Sequence, residues 1–443
     1  MFCAQCGTDC PPEYKFCKNC GVTLPQSNGS STASPPAMAP QAVAAQAYPG
    51  GPQVVYYTTP QAAAQAHAMN AQNLLKNLRG RLQAIASTED LQGFSLTEMF
   101  SEVFKHRSPA ELEDYLLVGT SKTTPPIDVV ETGWPKPWLF FRVLAFFAIV
   151  CLALVYTLMH FQNPLLVPGV LILASFAAPL SVMTFFFEMN TPRNVSVQRL
   201  LILLFIGAAV SMFFAAIGYS MPFLTSENAS LLAAGVVEEC AKLATVALVI
   251  RSVRYKYILN GLLFGATVGA AFAAFETAGY GFIGQLGTQQ PSYINGFLAG
   301  LNKYTGQDAV ARSLHLAAVW MLSELQGRAI DAPFTHIAWT AIAAAALWRV
   351  KKDQPLRMSM LKDPRFLKAF MIPIVLHTIW DFPYYQLPYY GNEILCGFIA
   401  WYVLFGLIQQ GLRQVQDEQR THLQTTLHHV EASLQATPEA ATP

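Results

Sequence analysis

Residues 231–250 read LLAAGVVEECAKLATVALVI, and seventeen of these twenty residues carry no charge. About 20 mostly apolar residues form a helix long enough to cross the hydrocarbon core of a bilayer. Each ionisable side chain at that depth costs about 2.5 to 3.5 kcal/mol on insertion scales, so Glu238, Glu239 and Lys242 need partners that offset the cost. The stretch therefore predicts a membrane helix that carries a polar site.

The composition extends this interpretation to most of the chain. Hydrophobic residues make up 53% of the 443 positions and charged residues only 12%, whereas a soluble domain has about 25% charged residues. Only eight charged residues occur among the 113 from Trp138 to Ile250. The net charge of +1 provides no overall basic field, so nucleic acid is not an expected partner. We predict a multi-pass membrane protein with the lipid bilayer as its main surroundings.

Further apolar stretches of the same length predict an all-α protein with about eight transmembrane helices. They run through Trp138–Phe161, Leu165–Phe187, Leu200–Met221, Leu231–Ile250, Ile258–Ile283, Ala332–Val350, Phe366–Tyr384 and Ile394–Leu412.

The short connections that contain lysine and arginine alternate with short connections that contain neither, which predicts the orientation of the spans. The connections after the first, third and seventh spans contain neither residue, and with an even number of spans both termini are expected in the cytoplasm. The long connection Gly284–Asp331 is expected outside, with a helical stretch Ala311–Gln326 along the membrane surface. The chain does not begin with a basic segment followed by an apolar one, so no cleavable signal peptide is expected. The basic connections carry Arg193 and Arg199, then Arg251, Arg254 and Lys256, then Lys351, Lys352, Arg357, Lys362 and Arg365.

Four cysteines near the start of the chain have the spacing of a zinc site. Cys3, Cys6, Cys17 and Cys20 form two C-x2-C pairs separated by ten residues, a pattern that supplies four thiolates to one tetrahedral zinc ion. Two disulfides are the alternative, which a reducing cytoplasm disfavours. We predict a structural zinc ribbon over residues 1–22 that docks a cytoplasmic protein partner or regulates the membrane domain.

The rest of the chain divides by composition. Residues 23–70 are rich in Ala, Pro and Gln and predict a disordered linker. Residues 71–137 predict a cytoplasmic juxtamembrane helical region, residues 138–412 the transmembrane domain and residues 413–443 a cytoplasmic tail with a helix from Gln414 onward. Glu188, at the cytoplasmic end of the second span, is expected to have a structural role.

Three other spans carry ionisable side chains. Glu276 follows Gly261, Gly265 and Gly269, a stripe of small residues that lets a neighbouring helix approach closely. His336 is expected about one turn below the external end of its span. His377 and Asp381 are four residues apart and share a helix face.

At a rise of 1.5 Å per residue, these groups fall at similar depths in the outer half of the bilayer. Carboxylates and imidazoles around a water-filled cavity can deprotonate water and stabilise an oxyanion, as peptide hydrolysis requires. The same side chains could hold a divalent metal ion that lowers the pKa of bound water. The residues alone do not decide between a metal and a glutamate base.

The order of these residues resembles the motifs of the PrsW family of intramembrane endopeptidases, which is related to the CAAX-processing and Abi proteases. The motifs are Glu238-Glu239-x-x-Lys242, Phe272-x-x-x-Glu276 and His377-x-x-x-Asp381. Residues 187–194 (FEMNTPRN) are also similar to the family.

The resemblance implies a protease of the bacterial cytoplasmic membrane that cuts membrane-anchored proteins near the external face. By similarity to the CAAX proteases, Glu239 or Glu238 would be the base and Glu276 would hold the activating position. His377 and Asp381 would lie beside the oxyanion.

Three other interpretations stay open at this point. Glu238, Glu239 and Lys242 could form a buried ion network with only a structural role. A proton-coupled transporter would also bury such groups, although it usually shows internal repeats and interrupted helices, which the sequence does not reveal. A non-catalytic sensor or scaffold could use the zinc ribbon as its binding module.

Overall fold

The computed structural model describes residues 43–44, 55–56, 91–161, 163–224, 227–250, 252–286, 307–382 and 391–436. The chain divides into two compact units, residues 1–81 and residues 82–443. In the first unit, the described residues form two strands, β1 (Val43–Ala44) and β2 (Val55–Tyr56), which pair antiparallel. The four predicted zinc ligands lie outside the described residues, so the ribbon stays a prediction.

The described part of the second unit is helical. Its eleven α-helices are α1 (Leu96–Met99), α2 (Pro109–Leu116), α3 (Leu139–Phe161), α4 (Val167–Met189), α5 (Val197–Tyr219), α6 (Glu227–Val249), α7 (Ile258–Leu286), α8 (Gln307–Asp331), α9 (His336–Lys351), α10 (Pro364–Trp380) and α11 (Gly391–Ala436). Short 3-10 turns lie at Ile127–Val129, Pro164–Leu166, Pro222–Leu224, Ala332–Phe334 and Met358–Lys362.

The helical membrane fold is confirmed, but the predicted count of eight spans is not. Six stretches of the described residues are long and apolar enough to cross a membrane. The predicted spans that fall in α6 and α10 are not among them, because α6 carries charged residues along its length and α10 has only 17 residues. The predicted span Ala332–Val350 belongs to a longer apolar stretch, Ala317–Lys351, that begins in α8.

Helix α8 differs from the expected surface helix. Ala318, Met321 and Leu325 are buried and pack with Leu158 of α3 and Val170 of α4. Their spacing of three and four residues places them on one face of the helix. The helix therefore packs within the bundle, because these small and apolar residues form a buried stripe. The expected position on the membrane surface is wrong for this helix.

The predicted glycine stripe of α7 allows a close approach to a second helix at the core. A side chain at Gly265 would meet backbone atoms of Thr340 and Ala341, and one at Gly269 would meet the backbone of His336. The stripe therefore packs against α9. The sequence predicted a close approach at these glycines but not which helix would make it.

A second close approach brings α6 against α10. A Cβ at Gly235 would lie 2.5 Å from the carbonyl oxygen of Ile374 and 2.5 Å from Thr378 Oγ1. Glu238 follows Gly235 by one helical turn, so this contact brings the acid pair beside the last turn of α10.

Glu188 has the structural role that was expected. Its carboxylate accepts hydrogen bonds from the backbone amides of Trp138, Leu139 and Phe140, at 2.7, 2.8 and 2.9 Å. These amides begin α3 and have no partner within that helix. Glu188 therefore caps α3 from the end of α4.

The basic connections gather at one end of the bundle. Arg254 donates to the carbonyl oxygen of Gly119, at 2.9 Å, and Lys351 donates to that of Tyr255, also at 2.9 Å. Lys256 pairs with Glu418 of α11. Helix α11 continues through Gln414 to Ala436, which confirms a helix in the tail.

Candidate active site

The site lies where α8 and α9 are separated by a break. Helix α8 ends at Asp331, the 3-10 turn Ala332–Phe334 follows, and Thr335 has φ −112° and ψ −123°. His336 is therefore the first residue of α9 instead of lying a turn inside a continuous span. It lies 15 residues from Lys351 at the basic end, which is about 22 Å along the helix.

The two adjacent glutamates of α6 have different surroundings. Glu238 lines a cavity and accepts a hydrogen bond from the Tyr219 hydroxyl, at 2.9 Å. Glu239 is fully buried and is not part of the cavity wall. Neighbouring residues on a helix point about 100° apart, so the pair supplies one carboxylate to the cavity and one to the protein interior.

Lys242 contacts both glutamates but is closer to Glu239 than expected. Its ammonium lies 2.7 Å from Glu239 Oε1 and 3.4 Å from Glu238 Oε2. The sequence spacing favoured the pair four residues apart, whereas the three-residue pair is the tighter one. Lys242 also lies 3.0 Å from His336 Nδ1 and 4.5 Å from the centre of the Phe272 ring.

His377 is held between carboxylates and an indole ring. Its Nδ1 lies 3.0 Å from Glu239 Oε1, and its Nε2 lies 3.3 Å from Asp381 Oδ2 and 3.6 Å from Glu238 Oε2. The imidazole stacks on Trp339 with ring centres 4.5 Å apart. These contacts fix the orientation of the ring.

His336 has a similar arrangement with Glu276. Its Nε2 lies 2.9 Å from Glu276 Oε2, and the same carboxylate oxygen lies 2.5 Å from Arg328 Nη2. Arg328 also donates through Nε to Thr277 Oγ1, at 3.2 Å, and lies over the Tyr280 ring. A cation thus supports the carboxylate that contacts each histidine: Lys242 at Glu239 and Arg328 at Glu276.

All seven candidate residues from the sequence therefore meet in one network. The network runs through Asp381, His377, Glu239, Lys242, His336, Glu276 and Arg328, with Glu238 beside both histidines. A buried ion needs partners of opposite charge and hydrogen bonds, and each ion of this network has at least one.

Arg328, Tyr219 and the stacking role of Trp339 were not expected from the sequence. Arg328 fell in the connection that was expected outside the membrane. Had the apolar stretch been extended back to Ala317, Arg328 would have been a charge inside a span, which needs a partner. For Tyr219, at the end of α5, no sequence signal indicated its contact with Glu238.

The network borders a cavity of about 590 Å³. Helices α5 to α10 all contribute to its wall. The lining residues include Met212, Ala215, Tyr219, Glu238, Phe272, Glu276, Thr277, Tyr280, Arg328, Asp331, Thr335, His336, Trp339, His377, Trp380 and Asp381. The cavity thus joins apolar surface to the carboxylates and histidines of the network.

Three cavity residues have the donor set of a metal site. One ligand atom each from Glu238, His336 and His377 lies within 4.8 Å of the others. Two histidines and a glutamate are a known ligand set of catalytic zinc. Glu239 at the far nitrogen of His377 matches the carboxylate that commonly orients a metal-binding histidine. The set fits a metal ion, although one bound at His336 Nδ1 would displace the Lys242 contact.

The fold and this cluster define a multi-pass membrane protein with hydrolase-type side chains in its interior. Residues 196–408 match the family model described as PrsW family intramembrane metalloprotease. The matched residues contain the three motifs, so this part of the chain belongs to the PrsW family of intramembrane proteases, as the motifs predicted. No curated protein and no solved structure gives a significant match.

Proposed function

We propose that the chain hydrolyses peptide bonds of membrane-anchored proteins at this cavity, with Glu238 as the group that activates water. The observation that carries the proposal is that only one of the two adjacent glutamates faces the cavity. Glu238 lines the cavity, whereas Glu239 has no exposed surface. A general base must come within hydrogen-bond reach of the water that it deprotonates, directly or through one further water.

In the proposed reaction Glu238 accepts a proton from water while the water oxygen attacks the scissile carbonyl carbon. The C–N bond then breaks, and Glu238 returns the proton to the leaving amine. Tyr219 holds the Glu238 carboxylate from the side of α5. This hydrogen bond fixes the carboxylate in the geometry that proton transfer requires.

Glu239 is proposed as a positioning residue. Its Oε1 contacts Lys242 and His377, and Thr340 donates to Oε2 at 3.5 Å. These contacts leave Glu239 to orient His377 and to neutralise Lys242. These contacts support Glu238 as the proposed base, a choice that the sequence left open.

The family's metal dependence suits Glu238, His336 and His377 as ligands. A metal ion bound there would polarise the carbonyl and lower the pKa of its water. In that case Glu238 would act on the water as a ligand of the ion instead of as the base. His377 and His336 would then be held by Glu239 and Glu276 from behind. An ionised Asp381 can accept but not donate hydrogen bonds, so it would not itself donate to the oxyanion. Without a metal on His377 Nε2, Asp381 would orient the imidazole through that nitrogen.

A transporter is the other class that the structure bears on. The break between α8 and α9 is an interrupted helix of the kind that transporters use, and the sequence had not revealed it. Membership in a protease family, together with a carboxylate and two histidines at one cavity, favours hydrolysis. The interruption exposes His336 to the cavity, which a hydrolytic site also needs.

The proposal is tested by membrane proteomics of cells that carry Glu238→Gln in place of the wild-type chain. Loss of the base should leave one or more membrane-anchored proteins uncut, so their full-length forms accumulate and their fragments disappear. Arg365→Gln is the matched control, because Arg365 is exposed and pairs with Asp363 at the basic end. Unchanged cleavage patterns in Glu238→Gln cells with normal amounts of the protein would refute the proposal.

A further inference from the structure

Residues 96–107 present an apolar face that the rest of the described structure does not cover. Leu96, Phe100 and Phe104 recur every four residues and are 54%, 37% and 86% exposed. Met99 and Val103 point the other way and are buried at 2% and 7% exposure. The segment is therefore amphipathic: one face packs on the protein and three large apolar side chains point away from it.

The uncovered face lies beside the start of a membrane span. The Phe104 ring packs edge-on to Phe141 at 5.3 Å, and the Phe100 ring contacts Phe140 at 5.8 Å. Both partners are in the first turn of α3. Only 6% of the residues in the apolar part of this helix are buried inside the protein. Most of α3 is therefore free to contact lipid, and Phe104 packs against the turn where this span begins.

Basic side chains surround the same face. Lys105, Arg107, Lys136 and Arg142 lie with three acids, Glu98, Glu102 and the Glu188 that caps α3, so basic side chains outnumber acidic ones by one. Lys105 and Lys136 keep 59% and 43% of their side chains exposed despite their ion pairs. Aromatic rings beside exposed lysines are typical of the interface between a bilayer and water.

We propose that Leu96, Phe100 and Phe104, with Lys105 and Lys136, form a lipid-binding surface that inserts into the headgroup region and prefers anionic phospholipid. The occupant is lipid and not a second chain, because the face continues the lipid-exposed surface of α3. The positive excess attracts anionic headgroups. Each basic residue near the surface strengthens binding to an anionic membrane about fivefold. The inference is independent of the proposed protease activity.

Photocrosslinking of the full chain in vesicles tests the proposal. Phe104→p-benzoylphenylalanine is incorporated, and the adducts formed on illumination are identified by mass spectrometry. The vesicles contain phosphatidylcholine with or without phosphatidylglycerol. Phe146 of α3, 62% exposed, is the positive control position. Leu427 of α11, 60% exposed and nine residues beyond Glu418, is the control position in water.

The proposal predicts lipid adducts from position 104 at a yield similar to position 146, and none from position 427. Phosphatidylglycerol adducts should exceed its share of the lipid, and this enrichment should fall about fivefold for each of Lys105→Gln and Lys136→Gln. Adducts to protein alone, or no lipid adduct at position 104, would overturn the insertion. Lipid adducts without enrichment would overturn the preference for anionic headgroups.

Discussion

Arg328 Nη2 lies 2.5 Å from Glu276 Oε2, so a residue outside the three motifs supports the glutamate of one of them. The same carboxylate oxygen contacts His336 Nε2 at 2.9 Å. The cation holds Glu276 in place, and Glu276 in turn fixes the imidazole. Arg328 is thus a positioning residue that acts on the cavity through Glu276.

Arg328→Gln should lower the cleavage rate about 10- to 100-fold, the range observed when an outer partner of a site ligand is removed. Arg328→Lys should restore part of the rate because it keeps the charge. In a Glu276→Gln background, Arg328→Gln should have little further effect, since its partner is already neutral. Additive losses in the double variant would show that Arg328 acts by another route.

The Glu239–His377 contact leads to a second prediction. Glu239→Gln keeps the shape of the side chain but leaves Lys242 with only Glu238 as an acid on α6, and cleavage should fall by about 10- to 100-fold because His377 loses its positioning partner. The protein should still accumulate in the membrane, because Glu238 remains within 3.4 Å of the ammonium.

A purely structural ion network predicts a different result for Glu239→Gln. Breaking a buried pair costs about 3 to 5 kcal/mol, so the protein would be degraded instead of folded and inactive. Membrane abundance measured together with cleavage of a co-expressed single-pass reporter separates the two outcomes. A stable Glu239→Gln variant with the wild-type cleavage rate would contradict any role in positioning His377.

Metal content provides the third prediction. The purified full chain should hold two zinc ions, one in the ribbon and one at Glu238, His336 and His377. Cys3→Ser with Cys6→Ser should remove the first ion and leave cleavage of a detergent-solubilised substrate largely intact. Glu238→Gln with His377→Ala should remove the second and abolish cleavage. Activity that survives 1,10-phenanthroline would instead favour a glutamate base without metal.

The orientation of the bundle is the fourth prediction. The described basic connections meet at one end, and the site lies toward the other. By the positive-inside rule the basic end faces the cytoplasm. A reporter that is active only outside the cytoplasm should be active when fused after Tyr389 and silent after Lys352. The reverse pattern would place the site in the cytoplasmic half.

The sequence could predict the site residues because each is a charge or an imidazole in an apolar stretch, where its cost demands a reason. It could not predict which carboxylate each cation prefers. Lys242 lies closer to Glu239 than to Glu238, and Glu239 is also held in the interior by its contacts with His377 and Thr340. Such choices depend on helices distant in sequence.

The number of membrane spans was also difficult to predict from the sequence. Hydropathy detects long stretches of apolar residues with few charges. Helix α6 does not qualify as such a stretch, because the charged residues that form the site lower its mean hydropathy. Arg328 and the break before His336 were missed for a related reason. A break of one 3-10 turn inside an apolar stretch leaves little trace in composition, and its position is set by packing against α7.

The last prediction concerns a close approach in that packing. Gly269 of α7 has the backbone of His336 against it, whereas Gly279 of the same helix has no atom within 4 Å of where a Cβ would be. Gly269→Ala should push the start of α9 outward, at a cost of about 1 to 3 kcal/mol for an overpacked core. His336 would move with it, so both the thermal stability in detergent and the cleavage rate should fall. Gly279→Ala, the same change almost three turns along the helix, should alter neither. Equal effects of the two substitutions would mean that helix propensity, and not the contact with His336, determines the outcome.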